Sequence, residues 1–426
     1  MGEKHINRKT LMRSPLKIVP ALLFVVLCAG QAFAQIPGVT TGIEVLRNEQ
    51  FAPLKGKRVG LITNPTGVDS RLRSTVDILK SAPGVNLVAL FGPEHGVRGD
   101  HDAGGSVDSY TDKETGLPVY SLYGKTRKAT PEMLNGIDVL VYDIQDIGCR
   151  SYTFISTMGL AMEAAAENKI PFVVLDRPNP LGGLRMEGNL VAKGFESFVS
   201  QYPVPYVYGL TCGELARYLN DEGLLAGGVR CPLTVIPMKG WKRGMTFIET
   251  GLPWVPTSPH IPEARSPEYY VCSGILGELG VVSEGVGYTT PFQVFAAEWI
   301  DPKMVADKLN LLGLSGVLFR PIIFNPFYGK FKEKELHGVQ VHIAPGSTAN
   351  LMSIQFLFMQ VNNELYPEKN PFSLADPGRL RSFDKVAGSD SVRLLFTKRM
   401  KYEDVKPFME KGLNQFKEKA KKYMLY

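Results

Sequence analysis

Residues 56–96, GKRVGLITNPTGVDSRLRSTVDILKSAPGVNLVALFGPEHG, contain two apolar runs that each break at a polar turn. The first run breaks at Asn64 and the second at Gly92. Their apolar residues are consecutive rather than alternating, which is typical of strands covered on both faces and therefore of a parallel sheet. Because the segment RLRSTVDILKSA between them is a helix candidate, the stretch predicts a β-α-β unit.

The same form recurs further along the chain. IDVLVYDIQDIG breaks at Asp143 and IPFVVLDRPNPLGG breaks at Asp176, with the helix candidate SYTFISTMGLAMEAAAENK between them. The repeated order predicts an α/β fold with a Rossmann-like parallel sheet. Ligands in such sheets bind beyond the carboxyl ends of the strands, where Asn64, Glu94, Asp143 and Asp176 fall.

Nucleotide-binding loops are not among the motifs of this sheet. The loop NPTGVD after the first strand lacks G-x-G-x-x-G, and LYGKT lacks the first glycine of a P-loop because Val119 occupies that position. The sequence therefore argues against a dinucleotide enzyme, and no cofactor is predicted.

The regular alternation of apolar runs and helix candidates ends after Pro203. GLTCGELARYLN predicts a helix with Thr211 as N-cap and Glu214 at capping-box spacing. The proline-rich segment PWVPTSPHIPEARSPEYY marks a domain boundary near Pro259. We therefore expect a Rossmann-like N-terminal catalytic domain over residues 36–260 and a second, smaller mixed α/β domain over residues 261–426. The latter includes the strand pair GVLFRPIIFNP and LHGVQVHI and a closing helix from EDVKPFMEK to KKYML.

The first 34 residues predict a secretory signal peptide. Five basic residues precede the apolar run PALLFVVLCAG, and Ala32-Phe33-Ala34 follows as a cleavage site. We expect cleavage near Ala34 and a periplasmic or secreted protein without a membrane span. Cleavage would remove five basic residues and one acidic residue, which lowers the net charge from +6 to +2. That balance is no signature of nucleic-acid or membrane-surface binding.

Glu94 is the first candidate for catalysis. It lies between Pro93 and His95 in a glycine-flanked turn, where it could act as a general acid or base whose proton affinity His95 tunes. The alternative is a carboxylate that caps backbone N–H groups. Glu284, in VVSEGVGYTTPF, is the second candidate, with a helix-start carboxylate as its alternative. Two carboxylates that face each other across an interdomain cleft are the usual arrangement in glycoside hydrolases.

Further polar residues near these loops are candidates for substrate binding. Three arginines would suit an anionic ligand. Asp176 with Arg177 could instead hold the crevice together, and His337 could instead close a turn. The predicted substrate-binding set is Asn64, His95, Arg98, Asp143, Arg150, Asp176, Arg177, Tyr288 and His337.

A metal site is an alternative to this interpretation. Glu94, His95, His101 and Asp102 supply ligand types for zinc or manganese. No H-E-x-x-H or comparable helix spacing accompanies them, so no metal is predicted, and a metal-dependent hydrolase that uses Glu94, His95 and His101 stays an alternative. The cysteines that follow the signal peptide include no C-x-x-C pair, which argues against structural zinc.

Seven motifs in order resemble the NamZ-type exo-β-N-acetylmuramidases of bacteria. The resemblance runs from about Gly42 to the C-terminus and rests on GLITNPTGVD, FGPEHGVRGD, VYDIQDIGCRSYT, VLDRPNPLGG, GLTCGELA, PWVPTSPHIP and VVSEGVGYTTPF. It implies two α/β domains with a cleft between them, and release of terminal non-reducing N-acetylmuramic acid from peptidoglycan fragments during cell-wall turnover. It also implies Glu94 as the catalytic acid and Glu284 as the second carboxylate, without metal or cofactor.

The chain departs from the family pattern at two positions. Val286 replaces an arginine of the S-E-G-R-G-T form, and Tyr208 stands where a histidine is expected before G-L-T. The lactyl carboxylate of muramic acid would give Arg98, Arg150 or Arg177 a purpose, and its 2-acetamido group could act as an internal nucleophile. A periplasmic muropeptide-binding protein remains the non-catalytic alternative.

Overall fold

A seven-stranded sheet organises the first half of the chain. The protein is described by a computed structural model over residues 38–99 and 109–426, so the predicted signal peptide at residues 1–34 lies outside the described residues. The strands of the sheet are β1 (Arg58–Thr63), β2 (Asn86–Gly92), β3 (Tyr110–Thr111), β4 (Pro118–Ser121), β5 (Val139–Asp143), β6 (Phe172–Leu175) and β7 (Leu233–Ile236).

The strand order of this sheet is β3-β4-β2-β1-β5-β6-β7. Every neighbouring pair is parallel except the short β3, which lies antiparallel to β4. The predicted Rossmann-like parallel sheet is therefore confirmed. The chain moves outward in one direction from β1 and in the other from β5, so these two strands form the topological switch point.

Helices cover both faces of the sheet. Successive residues of β5 point to opposite faces, with Val141 in the core on one face and Tyr142 in the core on the other. This two-sided burial explains why the strand sequences are continuously apolar. The helices of the first half are α1 (Gly42–Asn48), α2 (Thr75–Lys80), α3 (Phe154–Glu167) and α4 (Cys212–Asp221).

The capping box predicted at the start of α4 is present. The hydroxyl of Thr211 accepts a hydrogen bond from the Glu214 backbone N–H at 3.2 Å, and the Glu214 carboxylate accepts one from the Thr211 N–H at 3.0 Å. Each bond satisfies a backbone donor that the first helical turn leaves unpaired. Cys212, which follows Thr211, is buried as expected for a small apolar residue.

A three-stranded antiparallel sheet organises the second half. Its order is β8-β10-β9, with β8 at Val294–Ala297, β9 at Val317–Phe324 and β10 at Leu336–Ile343. The predicted strand pair corresponds to β9 and β10, and the second, smaller α/β unit is therefore confirmed. The accompanying helices are α5 (Ser266–Gly277), α6 (Pro302–Asn310), α7 (Ser353–Leu365), α8 (Pro371–Leu374), α9 (Pro377–Ala387), α10 (Asp390–Phe396), α11 (Tyr402–Glu410) and α12 (Leu413–Ala420).

The closing helix of the sequence analysis is two helices. Gly412 separates α11 from α12 and has φ +81°, a conformation that residues with a Cβ adopt only at a steric cost. The break turns α12 back toward the first sheet, where Phe416, Ala420 and Tyr423 join the core around α3 and α4. The hydroxyl of Tyr426 donates to the buried Asp176 carboxylate at 2.7 Å.

Within residues 38–99 and 109–426, none of the helices combines the length and the apolar character that crossing a bilayer requires.

Candidate active site

A cavity of about 500 Å³ lies between the two halves of the chain, a volume suited to a small ligand. The first half contributes the turn after β2, the loop after β4 and the approach to α3. The second half contributes α5, α9 and neighbouring loops. The lining residues used below are Glu94, His95, Tyr123, Arg127, Tyr152, Thr153, Phe198, His260, Tyr270, Glu278, Phe292 and Lys385.

Glu94 is held in this cavity by a tight turn. The backbone N–H of Gly96 donates to the carbonyl of Pro93 at 3.0 Å, which closes a four-residue turn around Glu94 and His95. The turn follows β2 directly and presents the glutamate side chain, which is partly exposed, to the cavity. The sequence interpretation of Glu94 as a residue at a ligand-binding sheet edge therefore fits its position.

Two hydroxyl groups orient the Glu94 carboxylate. Thr153, which directly precedes α3, donates from Oγ1 to Oε2 of Glu94 at 2.9 Å. The phenol of Tyr123 also hydrogen-bonds to Glu94; burial and the charge of Glu94 raise the pKa of Tyr123 to about 12, so this phenol stays a donor at neutral pH. Glu94 thus has a fixed direction into the cavity.

Two residues that line the cavity have a strained backbone conformation. His95 has φ +72° and Phe292 has φ +65°. These values lie in the left-handed region, which is unfavourable for residues that have a Cβ atom. Both side chains line the cavity, one from each half of the chain. Strain of this kind persists where the surrounding structure enforces it, which is common at functional sites.

The second half contributes a pair of carboxylates. Glu278, at the end of α5, lines the cavity. Glu284 packs against Gly277, the residue before Glu278, where an added Cβ would lie 3.0 Å from the carboxyl carbon of Glu284. Burial, and then the charge of Glu278, raises the pKa of Glu284 to about 7, while Arg379 opposes the shift. Burial also raises the pKa of Glu278.

Aromatic rings form much of the remaining wall. Tyr152 and Tyr270 meet edge to face with ring centroids 5.9 Å apart, and Tyr270 meets Phe292 in the same way at 4.8 Å. Phe198 and Tyr123 form a further ring pair, with centroids 6.0 Å apart. Rings of this kind offer apolar faces against which a sugar can stack, so the cavity combines carboxylates with stacking surfaces.

The predicted cluster at the switch point does not face this cavity. Asp143 is fully buried, accepts from Arg177 at 2.5 and 3.0 Å, and accepts from Thr75 at 2.5 Å. Arg177 also donates to the Val68 carbonyl at 2.8 Å, and Asn64 accepts from the Thr66 N–H at 3.0 Å. The space beside them measures about 20 Å³, room for roughly one water molecule.

Asp176 also has a structural environment. Its carboxylate accepts hydrogen bonds from Gly213, Thr211 and Tyr426, each at 2.7 Å. Burial raises its pKa to about 6. The alternative that Asp176 and Arg177 hold the crevice together matches these contacts, although the ion pair of Arg177 is with Asp143.

Arg98 and Arg150 are not among the residues that line the cavity, and both are bound to other groups of the protein. Arg98 makes a two-pronged pair with Asp112, both bonds at 3.1 Å, and a further ion pair with Glu114 at 2.9 Å. The fully buried Arg150 donates to backbone carbonyls that include Asn189 at 2.6 Å and Ala387 at 2.9 Å, which ties the first half of the chain to the end of α9.

Tyr288 and His337 lie in the smaller sheet region, outside the cavity lining. The ring of Tyr288 packs on Phe324 at 4.6 Å. His337 is the second residue of β10 and contacts Glu335 at 2.9 Å through Nε2. Tyr208, at the position where histidine was expected, donates to the buried Asp146.

Glu278, Arg127, Phe198, Tyr270 and Lys385 are among the cavity residues that the sequence analysis did not propose. Glu278 ends an apolar segment that contains no motif, although its position between Gly277 and Gly280 resembles the glycine-flanked setting of Glu94. The other four stand in segments without a recognisable motif: Arg127, Phe198, Tyr270 and Lys385.

A second cavity of about 540 Å³ is lined by residues that include Leu184, Arg185 and Arg243. Its carboxylates are already paired within the protein, Glu187 with Arg185 and Glu268 with Arg265. It contains neither of the strained residues of the first cavity, and we therefore assign the candidate active site to the cavity around Glu94.

A metal centre finds no support in the part of the chain that the structure describes. No group of three or more histidine, cysteine or acidic side chains there is arranged to hold an ion. His101, which the metal-dependent alternative requires, lies outside the described residues. The four cysteines Cys149, Cys212, Cys231 and Cys272 are buried and free.

Comparison with known proteins places these features in a family. Residues 59–265 match the model of the N-terminal domain of exo-β-N-acetylmuramidase NamZ, and residues 268–426 match that of its C-terminal domain. The peptidoglycan β-N-acetylmuramidase NamZ of Bacillus subtilis (strain 168) is 46% identical over 393 residues, which cover 92% of each chain.

Two crystal structures of DUF1343 family proteins from Bacteroides fragilis have the same fold. One is 58% identical, with a TM-score of 0.88 over 92% of this chain and 99% of that chain. The other is 28% identical, with a TM-score of 0.73 over 91% of this chain and 99% of that chain. With both domain models matched in order and the relative similar along nearly its whole length, the chain belongs to the NamZ exo-β-N-acetylmuramidase family.

Proposed function

We propose that this protein is an exo-acting glycoside hydrolase that releases terminal non-reducing N-acetylmuramic acid from peptidoglycan fragments. The observation that carries the proposal is the position of Glu94. Its side chain lines a cavity of about 500 Å³ and accepts hydrogen bonds from the hydroxyl groups of Thr153 and Tyr123. Family membership supplies the reaction class, since the Bacillus subtilis relative is named for β-N-acetylmuramidase activity on peptidoglycan.

Glu94 acts as the general acid in this proposal. It transfers its proton to the glycosidic oxygen while the bond from that oxygen to the anomeric carbon breaks, so the departing sugar leaves as an alcohol. Thr153 and Tyr123 keep the carboxyl group aimed at the same point throughout. The oxygen of a water molecule then bonds to the anomeric carbon as the new hydroxyl of muramic acid, and the remaining proton of this water passes to a carboxylate of the site, which restores the proton that Glu94 donated.

Glu284 is the proposed second carboxylate, with Glu278 beside it. A pKa of about 7 lets Glu284 exchange a proton near neutral pH, which suits a group that orients the 2-acetamido group or activates water. Of these two residues, Glu278 lines the cavity. The role of the second carboxylate is therefore tested by substitution of each residue.

Substrates with different leaving groups test the assignment of the acid. A fluoride leaving group needs little protonation, whereas a sugar alcohol needs much. We therefore expect Glu94→Gln to lose most of its activity on a disaccharide and to retain activity on N-acetylmuraminyl fluoride. Glu284→Gln should lose activity on both substrates. If Glu284→Gln alone shows the fluoride-selective pattern, the two roles are reversed.

We further propose that the chain is exported after cleavage near Ala34. The supporting features are the five basic residues, the apolar run and the Ala32-Phe33-Ala34 site. We also propose that the catalytic domain spans residues 36–260 and the second domain residues 261–426. N-terminal sequencing of the secreted or periplasmic protein tests the cleavage site.

A further inference from the structure

Muramic acid differs from N-acetylglucosamine by a lactyl ether at O3 that ends in a carboxylate. An enzyme that selects muramic acid needs a cation at the corresponding end of its site. The arginines that the sequence suggested for this role are already used within the protein. Arg98 and Arg177 are paired with aspartates, and Arg150 is buried among carbonyls.

Two other cations line the cavity, one from each half of the chain. Arg127 follows β4, and Lys385 belongs to α9. Both side chains are exposed, and within residues 38–99 and 109–426 neither forms a salt bridge with a carboxylate. Their charges are therefore available to a ligand in the cavity.

The position of Arg127 is fixed by an aromatic ring. Its guanidinium carbon lies 4.4 Å from the centroid of Phe198, a cation–π contact that orients the flat group and leaves N–H donors at its edge. A guanidinium held in this way can donate two parallel hydrogen bonds to one carboxylate.

A row of neighbouring side chains leads along this wall from Glu94 to Arg127. Glu94 contacts Tyr123, Tyr123 lies beside Phe198, and Phe198 carries Arg127. In muramic acid the bond to be cleaved is at C1 and the lactyl group is at C3, on another side of the ring. A sugar with its glycosidic oxygen at Glu94 can therefore direct its lactyl carboxylate toward Arg127.

We infer that Arg127 and Lys385 bind the lactyl carboxylate of the terminal N-acetylmuramic acid and determine the preference for this sugar. The inference rests on the proposed function. It assigns specificity to two residues from different halves of the chain, so that a free lactyl carboxylate is bound across the cleft.

The test compares two substrates with the same scissile bond. One is a disaccharide with terminal N-acetylmuramic acid, and the other is its lactyl methyl ester, which has no negative charge. The variants are Arg127→Met, Lys385→Met and the double variant, because methionine keeps most of the apolar stem. Lys125→Met is the matched control, an exposed cation of the same loop that does not line the cavity.

For the parent protein and Lys125→Met, we expect kcat/KM to be about ten- to a hundredfold higher for the acid than for the ester, the range of charge-assisted hydrogen bonds. For the double variant, the ratio should fall to near one. Arg127→Lys should restore part of the preference, since it restores charge without the paired donors.

The outcomes separate this inference from the function on which it rests. A double variant that cleaves the ester but keeps the parental acid-to-ester ratio overturns the inference and leaves the function intact. A parent protein that releases no sugar from either substrate overturns the proposed function. If the double variant cleaves neither substrate, the single variants decide. A binding role requires each single variant to lower the acid-to-ester ratio of kcat/KM, and single variants with the parental ratio overturn the inference.

Discussion

Two polar clusters at the same edge of the large sheet have opposite characters. The cluster after β1 and β5 lies at the topological switch point, the usual ligand site of such sheets, and leaves only about 20 Å³. The turn after β2 is one strand further out and faces about 500 Å³. Arg177 fills the crevice at the switch point and pairs with Asp143. The carboxyl edge of the sheet therefore indicates where a ligand site can lie. Polar groups that are paired with one another there have a structural role, whereas a carboxylate that faces a cavity can take part in catalysis.

The largest effect that we expect is on stability, at the switch point. Asp143→Ala should lower the free energy of unfolding by about 3–5 kcal/mol, because it leaves the buried guanidinium of Arg177 without its counter-charge. Urea denaturation measures this change. The kcat of the folded fraction should stay within about twofold of the parent. An unchanged urea midpoint, or a stable variant without activity, would place Asp143 in the catalytic machinery.

The converse effect is expected at the turn after β2. Glu94→Gln should reduce the rate of disaccharide hydrolysis at least about a hundredfold, the scale of general acid catalysis, with little loss of stability. Ligand binding, measured by calorimetry, should persist. Hydrolysis at the parental rate would show that Glu94 is not the acid and would favour the non-catalytic alternative.

A smaller effect concerns the pH dependence of the cavity. The kcat/KM profile of the parent protein should show an ionisation near pH 7, and this ionisation should be absent from the residual activity of Glu284→Gln. Glu278→Gln should move it to lower pH by less than about one unit, because removal of a nearby negative charge makes Glu284 easier to ionise while its burial remains. A shift to higher pH, or an unchanged profile in both variants, contradicts the proposed carboxylate pair.

The smallest effect is expected for Arg98→Ala. Although Arg98 was predicted to bind substrate, it pairs with the exposed Glu114 and with the buried Asp112. Asp112 keeps two hydrogen bonds from Thr115 when Arg98 is removed, so the loss should cost about 1 kcal/mol of stability. The acid-to-ester preference should remain parental. A reduced acid-to-ester preference in Arg98→Ala would show that Arg98 takes part in substrate binding.

The sequence predicted those features that depend on neighbours along the chain. Apolar runs identified β1, β2, β5 and β6, and the spacing of Thr211 and Glu214 identified the start of α4. The conformation of Glu94 depends on the turn that contains it, so its local pattern was informative.

Features that depend on distant residues escaped the sequence interpretation. Arg150 binds the carbonyl of Ala387, 237 residues away, and no local pattern distinguishes that arginine from a ligand-binding one. Glu284 lies close to Glu278 because the adjacent Gly277 has no side chain and leaves room for the Glu284 carboxyl group. Short strands such as β3 and β8 have too few residues to show a period.

The return of the C-terminal segment couples the folding of the two halves. Tyr426 donates to Asp176 across 250 residues of chain, and Phe416 fills the core beneath α4. During synthesis the large sheet therefore cannot complete its interior until the last residues have been made. A protein shortened by a few residues would be damaged around Asp176, 250 residues earlier in the sequence, and separate expression of the first half would yield a sheet with an open core.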